Sequence, residues 1–198
     1  RPDAHRHQAS QVSQVTGPDR GESLAQAHLR AMTSADLAQV ARLEGELFGG
    51  EAWSPQLLAD ELAAAQGPQA DRRYVVVEDA AGGLLGYAGL WFGDGRGEAD
   101  LLTIATVPAA RRRGVATVML TDLVEVARGR GCRAVLLEVR ASNEAAQRLY
   151  AGHGFRPLGV RRRYYVAPVE DAVVMRLDLR GSLGAVGAET FGASGLTK

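Results

Sequence analysis

The chain of 198 residues contains a single cysteine, Cys132. One thiol cannot form an internal disulfide, and such sparing use of cysteine fits a reducing compartment. No apolar run approaches the ~20 residues that a membrane-spanning helix requires. The N-terminal stretch also lacks the apolar core of a secretory signal. Neither sign of charge is in excess, because 23 basic residues balance 23 acidic ones. A neutral chain projects no overall field toward nucleic acid or a membrane, so neither is expected as a partner. His5 and His7 have no further ligands clustered with them, and no metal is expected. Internal repeats are absent. These absences leave the expectation of a cytoplasmic protein stabilised by its core.

A chain of this length suits one domain with a sizeable core. Residues 1–27 are rich in Gln, Ser, Asp and Arg with almost no apolar spacing. They are expected to form a disordered tail, or a linker from a fused upstream domain. The ordered domain is expected over 28–180. Residues 181–198 are mostly Gly, Ala and Ser with little periodicity, the composition of a flexible C-terminal tail.

Order begins with a strand over His28–Met32. Thr33-Ser34-Ala35-Asp36 then opens a helix with hydroxyl capping candidates ahead of Leu37, Val40, Ala41 and Leu43. After a loop from Phe48, Ser54 is placed as an N-cap and Pro55 at the first position of a second helix. Tyr74–Glu78 and Leu84–Phe92 read as strands joined by an Ala81-Gly82-Gly83 hairpin turn. Gly93–Gly97 is a second turn and Glu98–Val107 a third strand of this set. Further on, Gly129 and Gly131 stop a helix. Cys132–Val139 follows as a strand reached by a helical crossover, hence parallel to its predecessor. A helix over Asn143–His153, closed by Gly152 and Gly154, precedes two last strands, Phe155–Val160 and Val173–Leu179.

The stretch from Ile104 to Thr117 organises the rest. Leu101, Leu102, Ile104 and Val107 form the short apolar run of a buried strand. Pro108 has no N–H, so ladder pairing ends or splays there. Beyond a basic turn, Val115, Val118, Met119, Leu123, Val126 and Ala127 recur at helical spacing. Gly114 allows close approach to the helix start, whose unpaired N–H groups and positive dipole end suit an anion such as phosphate. The turn is not a P-loop, lacking the Gly-Lys-Ser/Thr ending, nor a dinucleotide fingerprint, lacking two of three glycines.

Arg111-x-x-Gly114-x-Ala116 resembles the pyrophosphate-binding signature of the GNAT acetyltransferases, which hold coenzyme A. The series Leu137–Asn143, Leu149-Tyr150, Gly154-Phe155 and Arg162–Tyr165 extends the likeness to the ribosomal-protein-alanine N-acetyltransferase (RimI) group of that family. The resemblance covers roughly residues 29–179 and is strongest over 101–177. It implies an α/β domain with a mixed, mostly antiparallel sheet, splayed at its centre and flanked by helices. It also implies acetyl-CoA as co-substrate, held by Ile104, Ala105, Thr106, Arg112, Arg113, Gly114, Val115, Ala116, Thr117 and Asn143. The acceptor implied is the N-terminal α-amine of a protein, with alanine of a ribosomal protein as the group's type.

A small set of residues carries the chemistry. Glu138 lies in the apolar strand Ala134–Val139 and shares a face with Ala134 and Leu136. A carboxylate there is costly unless paired or used. It is either an end-of-strand Glu bonded to Arg140 or another arginine, or, as the resemblance implies, the general base. Spacing alone makes Tyr150 a core tyrosine; the resemblance makes it the proton donor to the coenzyme sulfur. Asn143 is a natural helix N-cap, and the resemblance adds a cofactor contact. Trp53 either packs in the core or, by resemblance, lines the acceptor site with Tyr164 and Tyr165, Glu170 and Asp171 lying near the incoming ammonium. Arg161–Tyr165 is too short, on a neutral chain, for a nucleic-acid patch. Cys132 has no His partner nearby, and direct amine attack needs no acyl-enzyme. The alternatives are an acetyltransferase for lysine side chains or small amines, and a coenzyme A-binding regulatory domain without turnover.

Overall fold

The computed structural model describes residues 27–93 and 97–179. The tails expected over 1–27 and 181–198 fall outside these residues, save Ala27, which packs against the core. So does the middle of the Gly93–Gly97 turn.

The strands are β1 His28–Ala31, β2 Arg72–Glu78, β3 Leu84–Trp91, β4 Glu98–Thr106, β5 Ala134–Arg140, β6 Arg156–Val166 and β7 Val169–Asp178. The helices are α1 Leu37–Phe48, α2 Pro55–Ala64, α3 Val115–Gly129 and α4 Glu144–Gly152. One sheet runs β1-β2-β3-β4-β5-β7-β6. Every neighbour pairs antiparallel except β4 and β5, as the crossover through α3 requires.

That parallel pair holds for three residues only: Glu98 against Ala134, Ala99 against Val135 and Asp100 against Leu136. Beyond Asp100 and Leu136 both strands continue without each other, and the sheet opens between them. This is the central splay that the resemblance implied. A cleft therefore lies at the C-terminal ends of two parallel strands, where α/β proteins gather their ligands.

Each face of the sheet carries its own core. Under α3 and α4, Val75, Leu90, Leu101, Ile104, Met119, Leu120, Leu123, Val135 and Leu137 pack together. Under α1 and α2, Val40, Leu43, Phe48, Leu58, Leu62, Val76, Tyr87 and Leu102 do so. Burying each such side chain contributes roughly 1.5–3 kcal/mol before entropy is counted. The start of α3 presses directly on β3, because a Cβ at Gly86 would lie 2.6 Å from the Ala105 carbonyl oxygen and 3.0 Å from Val115 Cγ1.

Local signals account for several boundaries. Asp36 accepts the Thr33 N–H at 2.7 Å, closing a capping box ahead of α1. Ser54 accepts the Leu57 N–H at 3.1 Å, with Pro55 following at the first helical position. Gly129 is the last residue of α3, and the left-handed stop is Gly131, at φ 81°.

The last hairpin is longer than the sequence suggested. β6 and β7 extend to Val166 and Val169, well past the expected strand ends at Val160 and Val173. The register slips between Arg161 and Tyr165, where Arg163 takes φ 52°, and pairing then resumes at Tyr165 with Glu170. A bulge of this kind breaks the period-two alternation that marks a strand in sequence. No helix among the described residues is long and apolar enough to cross a membrane.

Candidate active site

One lip of the cleft is the end of β4 and the turn into α3. After Thr106 the chain makes a single 3-10 turn, Pro108–Ala110, then a short coil with two left-handed residues, Arg112 at φ 59° and Gly114 at φ 88°. Gly114 is the N-cap of α3, no side chain caps that end, and the first turn carries no acidic residue. The backbone N–H groups at its start therefore face outward with the helix dipole behind them. Burial lowers the Arg111 guanidinium from its ordinary value.

Ile104 and Ala105 are core side chains. Past Asp100 their strand has lost β5, so what they offer a ligand on that edge is backbone. Thr106 is buried too, and its Oγ1 has no hydrogen-bond partner among the described residues. An enclosed hydroxyl left so is costly. An outward helix start without a capping side chain, an open strand edge and an orphan hydroxyl fit an extended ligand that carries amides and a pyrophosphate. Val115 is committed to the core, whereas Arg113 and Ala116 are half-buried and Arg112 and Thr117 exposed.

The other lip is the end of β5. Alternation puts Glu138 and Arg140 on one face, opposite Val135, Leu137 and Val139. Arg161 Nη1 donates to Glu138 Oε1 at 3.0 Å, with side-chain exposures of 45% for Arg161 and 14% for Glu138. A pair this open on one side is worth ~0–1 kcal/mol, too little to commit the carboxylate. Its Oε2 accepts no hydrogen bond from the described residues, which leaves a basic oxygen for a proton.

Tyr150, on α4, is wholly enclosed, its ring centroid 5.7 Å from that of Phe155. Burial holds its hydroxyl well above the ordinary tyrosine value of 10, and nearby Tyr165 adds to the shift. Tyr165 lies between the two catalytic candidates. Its Oη donates to the Glu138 carbonyl oxygen at 3.4 Å, and the Arg140 guanidinium lies 4.1 Å over its ring. Tyr164 meets Tyr165 edge-on at 5.2 Å between centroids and carries Arg161 at 4.5 Å over its ring.

Asn143 is the N-cap of α4, its Oδ1 accepting the Ala146 N–H at 3.1 Å. Trp53 packs into the α1–α2 core, edge-on to Tyr74 at 6.5 Å, with 8% of its surface exposed. An acceptor would meet Trp53 only through that remnant. Asp171 accepts the Arg163 N–H at 2.7 Å, and Glu170 accepts the Ser142 N–H at 2.6 Å and Arg140 Nη1 at 3.1 Å. Burial would raise Glu170, but these bonds outweigh it and hold the carboxyl below its ordinary range.

Two polar clusters escaped sequence reasoning. In the first, Glu44 is fully buried and accepts the Trp53 N–H at 2.9 Å and the Tyr87 hydroxyl. Its place among Val40, Leu43 and Leu47 on the apolar stripe of α1 was the available signal. In the second, Arg140 joins Glu51 and Glu170. An arginine on an apolar strand two residues past Glu138 was the clue there.

A model of the acetyltransferase (GNAT) family matches residues 37–155. The N-alpha-acetyltransferase RimI of Mycobacterium tuberculosis is 39% identical over 152 residues, covering 75% of this chain and 90% of that protein. The ribosomal protein bS18-alanine N-acetyltransferase of Salmonella typhimurium is 42% identical over 84 residues, 41% of this chain and 57% of that protein. The crystal structure of the ribosomal-protein-S18-alanine N-acetyltransferase from Escherichia coli superimposes with a TM-score of 0.65 at 26% identity, over 84% of this chain and 99% of that one.

Proposed function

Because the chain belongs to the GNAT acetyltransferase family, we propose that it moves the acetyl group of acetyl-CoA to the N-terminal α-amine of a protein. The acceptor we infer is a ribosomal protein beginning with alanine, which would place the reaction in the cytoplasm. The observation that carries the reading is the opening of the sheet after Asp100 and Leu136. It sets the uncapped start of α3 and the carboxylate of Glu138 at the same end of two parallel strands.

Acetyl-CoA supplies an acetyl group activated as a thioester. The start of α3, from Arg112 to Thr117, would hold its pyrophosphate through backbone N–H groups. Thr106 Oγ1 and the unpaired edge of β4 are available to the amide-bearing arm that follows. Glu138, directly or through a water, takes the proton that the amine sheds as the N–C bond forms. As the C–S bond breaks, Tyr150 gives its proton to the leaving sulfur. Tyr150 is a weak acid for this, with an ordinary value of ~10 against ~8.5 for a thiol, so it delivers the proton only as charge gathers on sulfur.

Acceptor choice follows from amine basicity. An α-amine titrates near ~8 and a lysine side chain near ~10.4, so at neutral pH the first is uncharged about a hundredfold more often. A single carboxylate base such as Glu138 deals more readily with the first. The names of the relatives agree with this choice. The test uses one alanine-starting peptide, free or blocked at its N-terminus, with an internal lysine in both. Acetylation of the free peptide alone is expected. Equal rates on both would favour the lysine acceptor, and no turnover on any amine would favour a coenzyme A-binding domain without catalysis.

A further inference from the structure

Resting on the N-terminal acetylation reading for the identity of the acceptor, we propose that Glu51 is a positioning residue that latches the acceptor mouth. Glu51 ends the 3-10 turn Gly49–Glu51 between α1 and α2. Its Oε1 accepts the N–H groups of Val166 and Ala167, both at 3.1 Å, at the tip of the β6–β7 hairpin. Its Oε2 accepts Arg140 Nη2 at 2.5 Å. Arg140 also donates to the carbonyl oxygens of Ala167 and Pro168, each at 3.2 Å. One carboxylate and one guanidinium thus fasten two connections that are more than a hundred residues apart, 115 from Glu51 to Val166.

Apolar packing does not make this join. Val166 and Val169 at the hairpin tip are 73% and 57% exposed, and Gly49 and Gly50 on the other side are exposed as well. The polar part is enclosed instead, with side-chain exposures of 6% for Arg140 and 12% for Glu51. Ions this enclosed gain little from attraction alone, and hydrogen bonds to both oxygens of Glu51 are what offset their desolvation. A local polar join between two otherwise solvated loops opens at far lower free energy than the sheet beneath it.

The latch sits over the reaction end of β5. Arg140 is two residues past Glu138 on the same face, and Tyr165 beneath Arg140 donates to the Glu138 carbonyl. Closed, it fixes the hairpin carrying Tyr164 and Tyr165 above Glu138; open, it admits a chain terminus. Glu51 touches neither the amine nor the thioester and acts through the hairpin.

The experiment compares the full chain with Glu51→Ala and Glu51→Gln. Losing the charge-assisted bonds of one carboxylate should raise the KM for an alanine-starting peptide about tenfold in Glu51→Ala. Acetyl-CoA affinity by calorimetry should not move, while the unfolding midpoint should fall because enclosed Arg140 loses one of its two carboxylates. Amide exchange read by NMR should quicken at Val166 and Ala167 and not in β5 or β7. Glu51→Gln keeps an oxygen for the two N–H groups and should fall between. Unchanged exchange at the tip, or unchanged peptide KM in an active enzyme, overturns the latch. So does exchange raised across β5 and β7, which makes Glu51 a general structural residue. Should wild type acetylate no N-terminus, the acceptor reading fails by itself, and the exchange result still decides the latch.

Discussion

Glu138 and Arg140 rise two residues apart from one face of β5, yet they turn to different partners. Glu138 meets Arg161 on β6, and Arg140 meets Glu51 and Glu170. Had the two paired with each other, the carboxylate would be neutralised inside the cleft. Drawing Arg140 toward the hairpin tip leaves Glu138 with one partly solvated partner and one uncommitted oxygen. A base needs that arrangement.

Glu138→Gln should therefore lower kcat by about two orders of magnitude, the usual worth of a general base. Tyr150→Phe should lower kcat with acetyl-CoA affinity unchanged, since only a proton is removed. Because burial raises the Tyr150 hydroxyl, its proton stays in place through alkaline solution. Wild-type kcat should accordingly show no alkaline fall up to pH ~10. Steady-state profiles of the three proteins check this, and wild-type turnover in both variants would reduce the pair to positioning.

At the other lip, Thr106→Val separates ligand binding from fold. The buried Oγ1 has no partner among the described residues, so replacing it by a methyl should leave the unliganded protein as stable or up to ~1 kcal/mol more stable. Acetyl-CoA affinity should fall in the same variant. Gly114→Val should weaken acetyl-CoA more strongly, but a valine at φ 88° is also strained. Calorimetry beside denaturant unfolding reads both effects. Unaltered affinity in a folded Gly114→Val protein would mean that the α3 start does not hold the pyrophosphate.

The parts legible in sequence were those whose cause is local. Pro108 and Gly114 announced a broken strand and an open helix start, and Ser54-Pro55 announced α2. The central splay came through the family likeness, and the pairing of β4 with β5 for three residues agrees with it. The far end of the last hairpin was illegible because Arg163, at φ 52°, interrupts the alternation that would have revealed it. Exposure hid it too, since β6 is exposed from Arg156 to Arg163 and needs no apolar pattern.

Polar pairing was less legible still. One partner of Arg140, Glu51, lies 89 residues away in a turn, and no local spacing encodes that meeting. The likeness put Glu170 and Asp171 near an incoming ammonium, but their bonds to Arg140, Ser142 and the Arg163 N–H could not be read from sequence. Trp53 illustrates a third case: both roles were open in sequence, and the packing against Tyr74 that ties it to the core depends on residues far along the chain.

Glu44 gives the protein a stability that depends on pH. Burial pushes its carboxyl from an ordinary 4.5 up to about 8, against the opposing hydrogen bond from the Trp53 N–H. When protonated, Glu44 can donate to Tyr87, whose own hydroxyl then reaches Thr103 Oγ1 at 3.3 Å. The folded state thus keeps a proton that the unfolded chain has released. This contribution is fully present below pH 4.5 and is lost as pH rises toward about 8. Unfolding free energy should fall by up to ~1.4 kcal/mol per pH unit within that window. Glu44→Gln resembles the protonated acid in shape and hydrogen bonding and does not titrate. Its stability should be close to that of wild type near the acidic end and exceed it by several kcal/mol, up to ~4, near the alkaline end. Urea unfolding of both proteins across the window measures the difference directly. Parallel stability curves would mean that Glu44 titrates in the folded protein as it does in the unfolded chain.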